Sequence, residues 1–426
     1  MDKKEANMTA VLPSEVLLDF VKSHFEKRDR YLNVLEKNAS PLYLLDRGAL
    51  VEKAETFKRA FSLVFPEVGF YYAVKSNNHP EISKILLESG FGLDVSSGLE
   101  LQMALSHGAS DIVFSGPGKT AEELDLAAEH SDKVTVLMDS YKELERLNHA
   151  AKSRGRVVRA GIRLTSNPKG LWRKFGILPE TLNDFFVMAE SCRHVQLAGI
   201  QFHTSWNLTP EAQVAFIRKL GEILAGMDLS GRAKIRFLDI GGGYWPEMGE
   251  WLQPAATPEG MRSTALGNPI PDTKHHFFQA ARSIDAFARD LEQAVKAHIF
   301  PRVRCRICFE PGRWICHDAM HLVMTVIDKK APDLVITDAG TNAVGWERFE
   351  SDYFPLLNLT RPALKEMPCN VLGSLCTPHD VWGYTYWGQG IEEGDVMMIP
   401  SQGAYTYSLR QHFIKPLPLV VTMPQH

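Results

Sequence analysis

The sequence predicts an α/β protein in two parts: a (β/α)8 barrel of the TIM type, and a second, mainly antiparallel β-barrel domain. Three observations carry this. The chain has 426 residues, well beyond one domain of about 150. From about residue 47, helix-period stretches alternate with short apolar runs, which is the pattern of βα units around a parallel sheet. After about residue 314 the long helical stretches stop and β-rich segments follow.

In chain order, strands are expected at residues 69–77, 91–96, 111–115, 134–139, 157–164, 195–204, 235–241 and 303–310. Each is a short apolar run bounded by turn residues. Helices are expected between them at 81–88, 98–106, 120–130, 142–153, 178–191, 210–227 and 277–298. Eight strands separated by helices over roughly 270 residues match the size of such a barrel. The barrel is therefore placed at 47–313, and the β domain at 314–426 together with the first residues, 1–46. HLVMTVIDKK, DLVITDAG, CNVLGSLC and DVMMIP read as strands of that second domain. A Pro/Gly-rich insertion at 245–274 interrupts the alternation after the seventh strand, and a loop of that length is usually functional.

Composition narrows the partners. With 45% hydrophobic and 23% charged residues the chain is an ordinary globular one, not a disordered or collagen-like one. Lys+Arg 47 against Asp+Glu 51 gives a net charge of -4, too little positive charge to favour nucleic acid. Six cysteines in a chain this long fit free thiols in a reducing compartment better than a disulfide framework. The start shows no basic region followed by an apolar core, and no window approaches 18 uncharged apolar residues, so a cytoplasmic protein with no membrane partner is expected.

In a TIM barrel the chemistry sits at the C-terminal strand ends. There the sequence places Lys75 (AVKSN), Asp94 (LDVSS), Lys119 (SGPGKT), His203 and Ser205 (FHTSW), Gly241, Gly242 and Gly243 (DIGGGY), and Glu310, Gly312 and Arg313 (EPGR). A desolvated lysine becomes a Schiff-base nucleophile, although Lys75 also reads as a strand-end lysine reaching solvent. Bare glycine amides can hold a phosphate, or simply form a turn.

These motifs, with LCTPHD and GAYTYS after them, resemble in order those of the pyridoxal-phosphate (PLP) decarboxylases of the alanine racemase fold type, the ornithine and diaminopimelate decarboxylase family. The resemblance runs from about residue 41 to about residue 415. It implies that Lys75 carries PLP covalently, that His203 stacks on the ring with Ser205 near the phosphate, and that Gly241, Gly242, Gly243, Gly312 and Tyr405 hold that phosphate. Asp94 and Arg313 are implied as cofactor contacts, Arg313 also touching substrate. Glu310 would pair with the pyridine nitrogen; an electron sink needs that nitrogen protonated, and a carboxylate keeps it so. Cys376 would return a proton to the carbanionic carbon, entering with Asp380 from the other subunit of a homodimer.

Plainer readings stand beside these: Glu310 as an ion-pair partner of Arg313, Cys376 as a buried structural thiol, and Asp380 as a turn cap. In one place the chain departs from the family, because the acidic residue that follows the cysteine in simple diamino-acid decarboxylases is Thr377 here. LCTPHD looks more like the subgroup acting on conjugated amino acids such as siderophore precursors; free diaminopimelate, lysine or ornithine is the alternative, and an amino-acid racemase or a non-catalytic partner-binding relative are lesser ones. The insertion, with Trp245, Glu247, Glu250 and Trp251, is read as a lid over a larger substrate or as a surface excursion. No metal is expected: Cys305 and Cys308 point to opposite faces of a strand, and His317 and His321 lack helical spacing.

Overall fold

Eight parallel strands close into a barrel: β1 Val68–Ala73, β2 Gly92–Val95, β3 Ile112–Phe114, β4 Val134–Met138, β5 Val158–Leu164, β6 Val195–Phe202, β7 Phe237–Asp239 and β8 Arg306–Phe309. Their order around the ring is their order in the chain, with β8 pairing in parallel to both β7 and β1. The computed structural model describes residues 9–269, 275–345 and 351–424. Every strand expected from the apolar runs is present, shortened at one or both ends.

The crossover helices form because each carries an apolar stripe behind a capped start. Ile284–His298 shows it best: Ser283 accepts from the Ala286 amide at 3.3 Å, and Ile284, Phe287, Leu291 and Val295 are all buried on one face. Gly98–Ser106 starts on Ser97, and Ala121–Glu129 starts on a reciprocal Thr120/Glu123 capping box.

The chain divides into two units, Val51–Glu247 with Arg282–Trp314, and Met1–Leu50 with Met248–Ala281 and Ile315–His426. In the second, six strands form a closed ring in the order Met320–Ala331, Leu334–Thr337, Glu366–Leu372, Val381–Trp387, Leu357–Asn358 and Val396–Ile399, which pairs back to the first. Met320–Ala331 is long enough to pair also with Leu42–Leu45, on which Leu419–Thr422 adds in parallel. The ring is mixed: the pairs Leu334–Thr337 with Glu366–Leu372 and Leu357–Asn358 with Val381–Trp387 are parallel. The helices Ser14–Glu26 and Arg28–Leu35 cover its core with Leu17, Val21, Tyr31 and Val34.

The insertion differs from the expected loop. It contains a strand, Glu250–Leu252, and a helix, Pro258–Ala265. Residues 277–279, expected to begin a helix, instead form the strand Phe277–Gln279, which pairs with Glu250–Leu252 and Ala10–Val11. Most of the segment clusters with the β unit, because Trp251 is buried against Phe20 and Tyr353 there. The expected lid residues are thus structural in part: Trp251 is core, and Glu247 caps the helix at the Ile284 amide at 3.1 Å. The end of the insertion, residues 270–274, lies outside the described residues. Among the described residues no helix is long and apolar enough to cross a membrane.

Candidate active site at the barrel strand ends

β1 ends at Ala73, and one 3-10 turn, Val74–Ser76, carries Lys75 out of the strand. The chain can turn so tightly because its neighbour is glycine: a Cβ on Gly312 would come within 2.9 Å of the Ser76 side chain. The Ala73 amide donates to the Pro311 carbonyl at 3.0 Å, which fastens the EPGR segment to this turn. Lys75 Nζ then donates to Asp94 Oδ2 at 3.0 Å, from the end of β1 to the end of β2. Asp94 is fully buried and accepts a second, short hydrogen bond from Ser115 Oγ. Burial, and after it the charge of Glu310, pushes the Asp94 carboxyl above its ordinary range, while Lys75 pulls it back.

His203 follows β6. The Gly242 amide donates to its Nδ1 at 3.1 Å, so that nitrogen carries no proton, and Nε2–H faces Ser205 Oγ at 3.3 Å. The imidazole is therefore neutral, and its 3.7 Å approach to Glu310 is not an ion pair. Burial, with Lys75 and Arg163 nearby, agrees by holding its pKa down at about 3. Trp206, directly after Ser205, holds φ 54°, a left-handed conformation rare for a bulky residue.

β7 runs into the glycine turn. Gly241 (φ 75°) and Gly243 (φ 84°) both occupy the left-handed region, and Asn207 pins the turn by donating to the Gly242 carbonyl at 3.1 Å. A Cβ on Gly243 would sit 2.8 Å from Asn207 Nδ2. Beside this turn Thr204 Oγ1 is buried with no hydrogen-bond partner.

Glu310 directly follows β8 and is buried, as are Gln201 on β6 and Asp239 on β7. Gln201 Nε2 stands 3.4 Å from both Glu310 oxygens, while Gln201 Oε1 has no partner. Burial raises the Glu310 carboxyl, with Lys75 and Arg163 opposing. Arg313 stacks its guanidinium on Trp245, 4.2 Å from the ring centroid. Lys119 does not join this set: it is buried and paired with Glu143 at 2.7 Å, donating also to the Leu137 carbonyl.

The barrel thus gathers Lys75, Asp94, His203, Ser205, Gly241, Gly242, Gly243, Glu310, Gly312 and Arg313 at one set of strand ends. Gln201, Asp239 and Arg163 were missed by the sequence reading. Each is a polar residue inside an apolar strand, in GIQF, FLDI and GIRL, and that interruption was the available signal.

The remaining expected residues belong to the β unit. Cys376 is exposed on the turn after Gly373, and the Thr377 amide donates to the Leu375 carbonyl at 2.8 Å. Asp380 is buried, with its two oxygens accepting from the Thr341 and Leu375 amides at 2.7 and 2.6 Å. Those two bonds make it the organiser of this turn. Tyr405 holds φ 61°.

Residues 47–317 match the family model described as "Pyridoxal-dependent decarboxylase, pyridoxal binding domain". The chain is 26% identical over 396 residues to a diaminopimelate decarboxylase of Aquifex aeolicus, covering 88% of this chain and 84% of that one. It is 25% identical over 419 residues to a chloroplastic ornithine decarboxylase of Nicotiana glutinosa, covering 94% and 86%. In fold it matches the crystal structure of diaminopimelate decarboxylase from Helicobacter pylori complexed with L-lysine at a TM-score of 0.75 and 23% identity, covering 92% of this chain and 94% of that one.

Proposed function

The chain belongs to the pyridoxal-dependent decarboxylase family, and from that premise we propose that it removes the α-carboxylate of a free diamino acid of the diaminopimelate, lysine or ornithine class. The relatives named above act, by their names, on diaminopimelate and ornithine. The siderophore-type conjugate expected from LCTPHD finds no support among them, so Thr377 alone does not exclude a free substrate.

The observation that carries the reading is one barrel mouth holding both a lysine amine against Asp94 and a buried carboxylate, Glu310. The residues fit the cofactor. Lys75 offers the amine for its carbonyl, the Gly243 amide and the partnerless Thr204 hydroxyl offer donors for its phosphate, the Gly241 and Gly242 amides being already given to Asp239 and His203, and Glu310 offers the anion for its ring nitrogen. When bound, PLP supplies the electron sink that accepts the pair left at Cα when CO2 departs. The protein's own residues do the rest. Glu310 keeps a proton on the ring nitrogen, where a cation in its place would weaken the sink. His203, neutral and fixed through Nδ1 and Nε2, presents a flat ring that does not compete for that proton. Cys376 delivers a proton to Cα, from a second copy of the chain in a cytoplasmic homodimer with shared sites.

Borohydride reduction of the purified protein followed by peptide mapping is expected to find the pyridoxyl label on Lys75. A label elsewhere, or none, overturns the assignment. A screen of diaminopimelate, lysine, ornithine and an acylated diamino acid for CO2 release then fixes the class. Turnover of the acylated compound alone would reverse the substrate reading, and Cα inversion without CO2 would make the protein a racemase.

A further inference from the structure

The loops after three neighbouring strands converge on one guanidinium: Trp206 follows β6, Trp245 follows β7 and its glycine turn, and Arg313 follows β8. Asn207 ties the first two loops together. Its amide donates to the Gly243 carbonyl at 2.9 Å, its carbonyl accepts from the Trp245 amide at 3.2 Å, and it bridges in parallel to Tyr244. The pairing of β6 with β7 is thereby resumed beyond the glycine turn. The two indoles that flank this bridge, Trp206 and Trp245, lie with centroids 5.8 Å apart and planes 36° from one another.

Arg313 meets both rings. Its guanidinium carbon stands 4.2 Å from the Trp245 centroid and 5.9 Å from that of Trp206. Trp245 is 5% exposed, so the charge resting on it is shielded from water on that side, where a cation–π contact is strongest. Trp206 is 43% exposed and holds φ 54°, so its loop, and not burial of its ring, keeps it at the mouth. A guanidinium stacked on indole loses rotamer freedom yet keeps N–H donors directed outward in its own plane. What fits such an edge is an oxyanion, a carboxylate or a phosphate, held by paired N–H···O bonds.

We propose that Trp245 and Trp206 are positioning residues that clamp the Arg313 side chain so that its edge receives an oxyanion at the barrel mouth. The inference rests on the proposed decarboxylase reading, which supplies two such groups, the substrate carboxylate and the PLP phosphate. It adds that the two tryptophans set the affinity for one of them, and that they do so through Arg313.

The test is a double-mutant cycle between W245L and R313L, read as equilibrium dialysis of PLP on cofactor-free protein and as KM and kcat of the PLP-saturated enzyme. W245L should weaken one of the two affinities by about tenfold with kcat within about threefold, while W245F, which keeps an aromatic face, stays near wild type. R313L should lose as much or more, and the double variant should be no worse than R313L alone. Weaker PLP binding identifies the phosphate as the oxyanion, and a raised KM identifies the substrate carboxylate. W206L changes an exposed ring and should show a smaller loss of the same kind, and it carries the cycle if W245L does not fold. Losses that add to that of R313L, a fall in kcat with both affinities unchanged, or W245F as weak as W245L overturns the proposal. If the protein binds no PLP, the functional reading fails, yet phenylglyoxal labelling of Arg313, followed by peptide mass spectrometry, still decides the clamp. W245L should speed that labelling by about threefold or more and W245F leave it unchanged, whereas equal rates in W245L and wild type overturn it.

Discussion

Lys75 Nζ stands 3.0 Å from Asp94 Oδ2, and the two are unequal partners: the lysine side chain is 36% exposed and the aspartate 0%. The aspartate is the fixed member, held by Ser115, and the amine is the more exposed one. Asp94 therefore aims Lys75 before any cofactor arrives. D94A should slow capture of PLP by about tenfold or more, measured as the rate at which cofactor-free protein gains the visible absorption of bound PLP, since a charge-assisted hydrogen bond is lost. An unchanged rate would mean that the turn at Val74–Ser76 alone positions the amine.

The glycine turn gives a second prediction with a separate readout. Gly243 at φ 84° has no room for a methyl group, because its Cβ would overlap the Thr204 backbone carbonyl and come within 2.8 Å of Asn207 Nδ2. G243A should destabilise the barrel by about 1–3 kcal/mol through strain at a positive φ. It should also weaken PLP binding, because the turn has to open to admit the methyl. Thermal unfolding and equilibrium dialysis of PLP check the two effects, and loss of affinity without loss of stability would show that the strain is absorbed locally.

Much of this was legible in the chain. Strand ends carried the signal, because the residues closing AVK, LD, QFH and FE are polar where the run before them is apolar, and the barrel puts them together. What the sequence hid has physical causes. Lys119 closes a similar run, SGPGK, yet it points at Glu143, because a partner 24 residues on supplied a buried anion that no local pattern reveals. The insertion read as a loop because its strand, Glu250–Leu252, is three residues long, too short to show a period, and is stabilised by pairing with Phe277–Gln279, itself paired with the distant segment Ala10–Val11. Asp239 was hidden inside DIGGGY by the glycines that follow it.

Acid should weaken the β unit through two histidines. His24 and His321 are buried against one another, 5.3 Å between ring centroids, and His321 Nδ1 accepts from the Ser401 amide. Burial, helped by the charge of His321, lowers His24 to about 3, and burial, opposed by Asp318 and helped by Lys27, lowers His321 to about 4. Because the folded values lie below the ordinary 6.5, the unfolded chain binds more protons between pH 6.5 and those values, so stability falls as pH falls through that window. At pH 5 each histidine costs about 2 kcal/mol relative to neutral pH. H321Q, which can still accept from Ser401, should flatten the pH dependence of the urea midpoint by about one proton; an unaltered slope would assign the acid sensitivity elsewhere.

The buried pair Lys119–Glu143 gives the sharpest test of what a closed, dry interior demands. Both side chains are 1% exposed, Lys119 also donates to the Leu137 carbonyl, and Glu143 accepts from the Asp139 amide at 3.3 Å. Burial lowers the lysine pKa, and Glu143 is what keeps the ammonium tolerable. Removing one member leaves the other charge unpaired, so K119M and E143Q should each cost about 3–5 kcal/mol, a fall in melting temperature of about 10 °C. The double variant K119M/E143Q leaves neither charge and keeps an acceptor for Asp139, so it should recover most of that loss. Lys119 lies off the proposed site, so PLP labelling of Lys75 should persist in the double variant. If instead the losses simply add, the pair is not coupled, and the stability at this corner comes from the hydrogen bonds to Leu137 and Asp139.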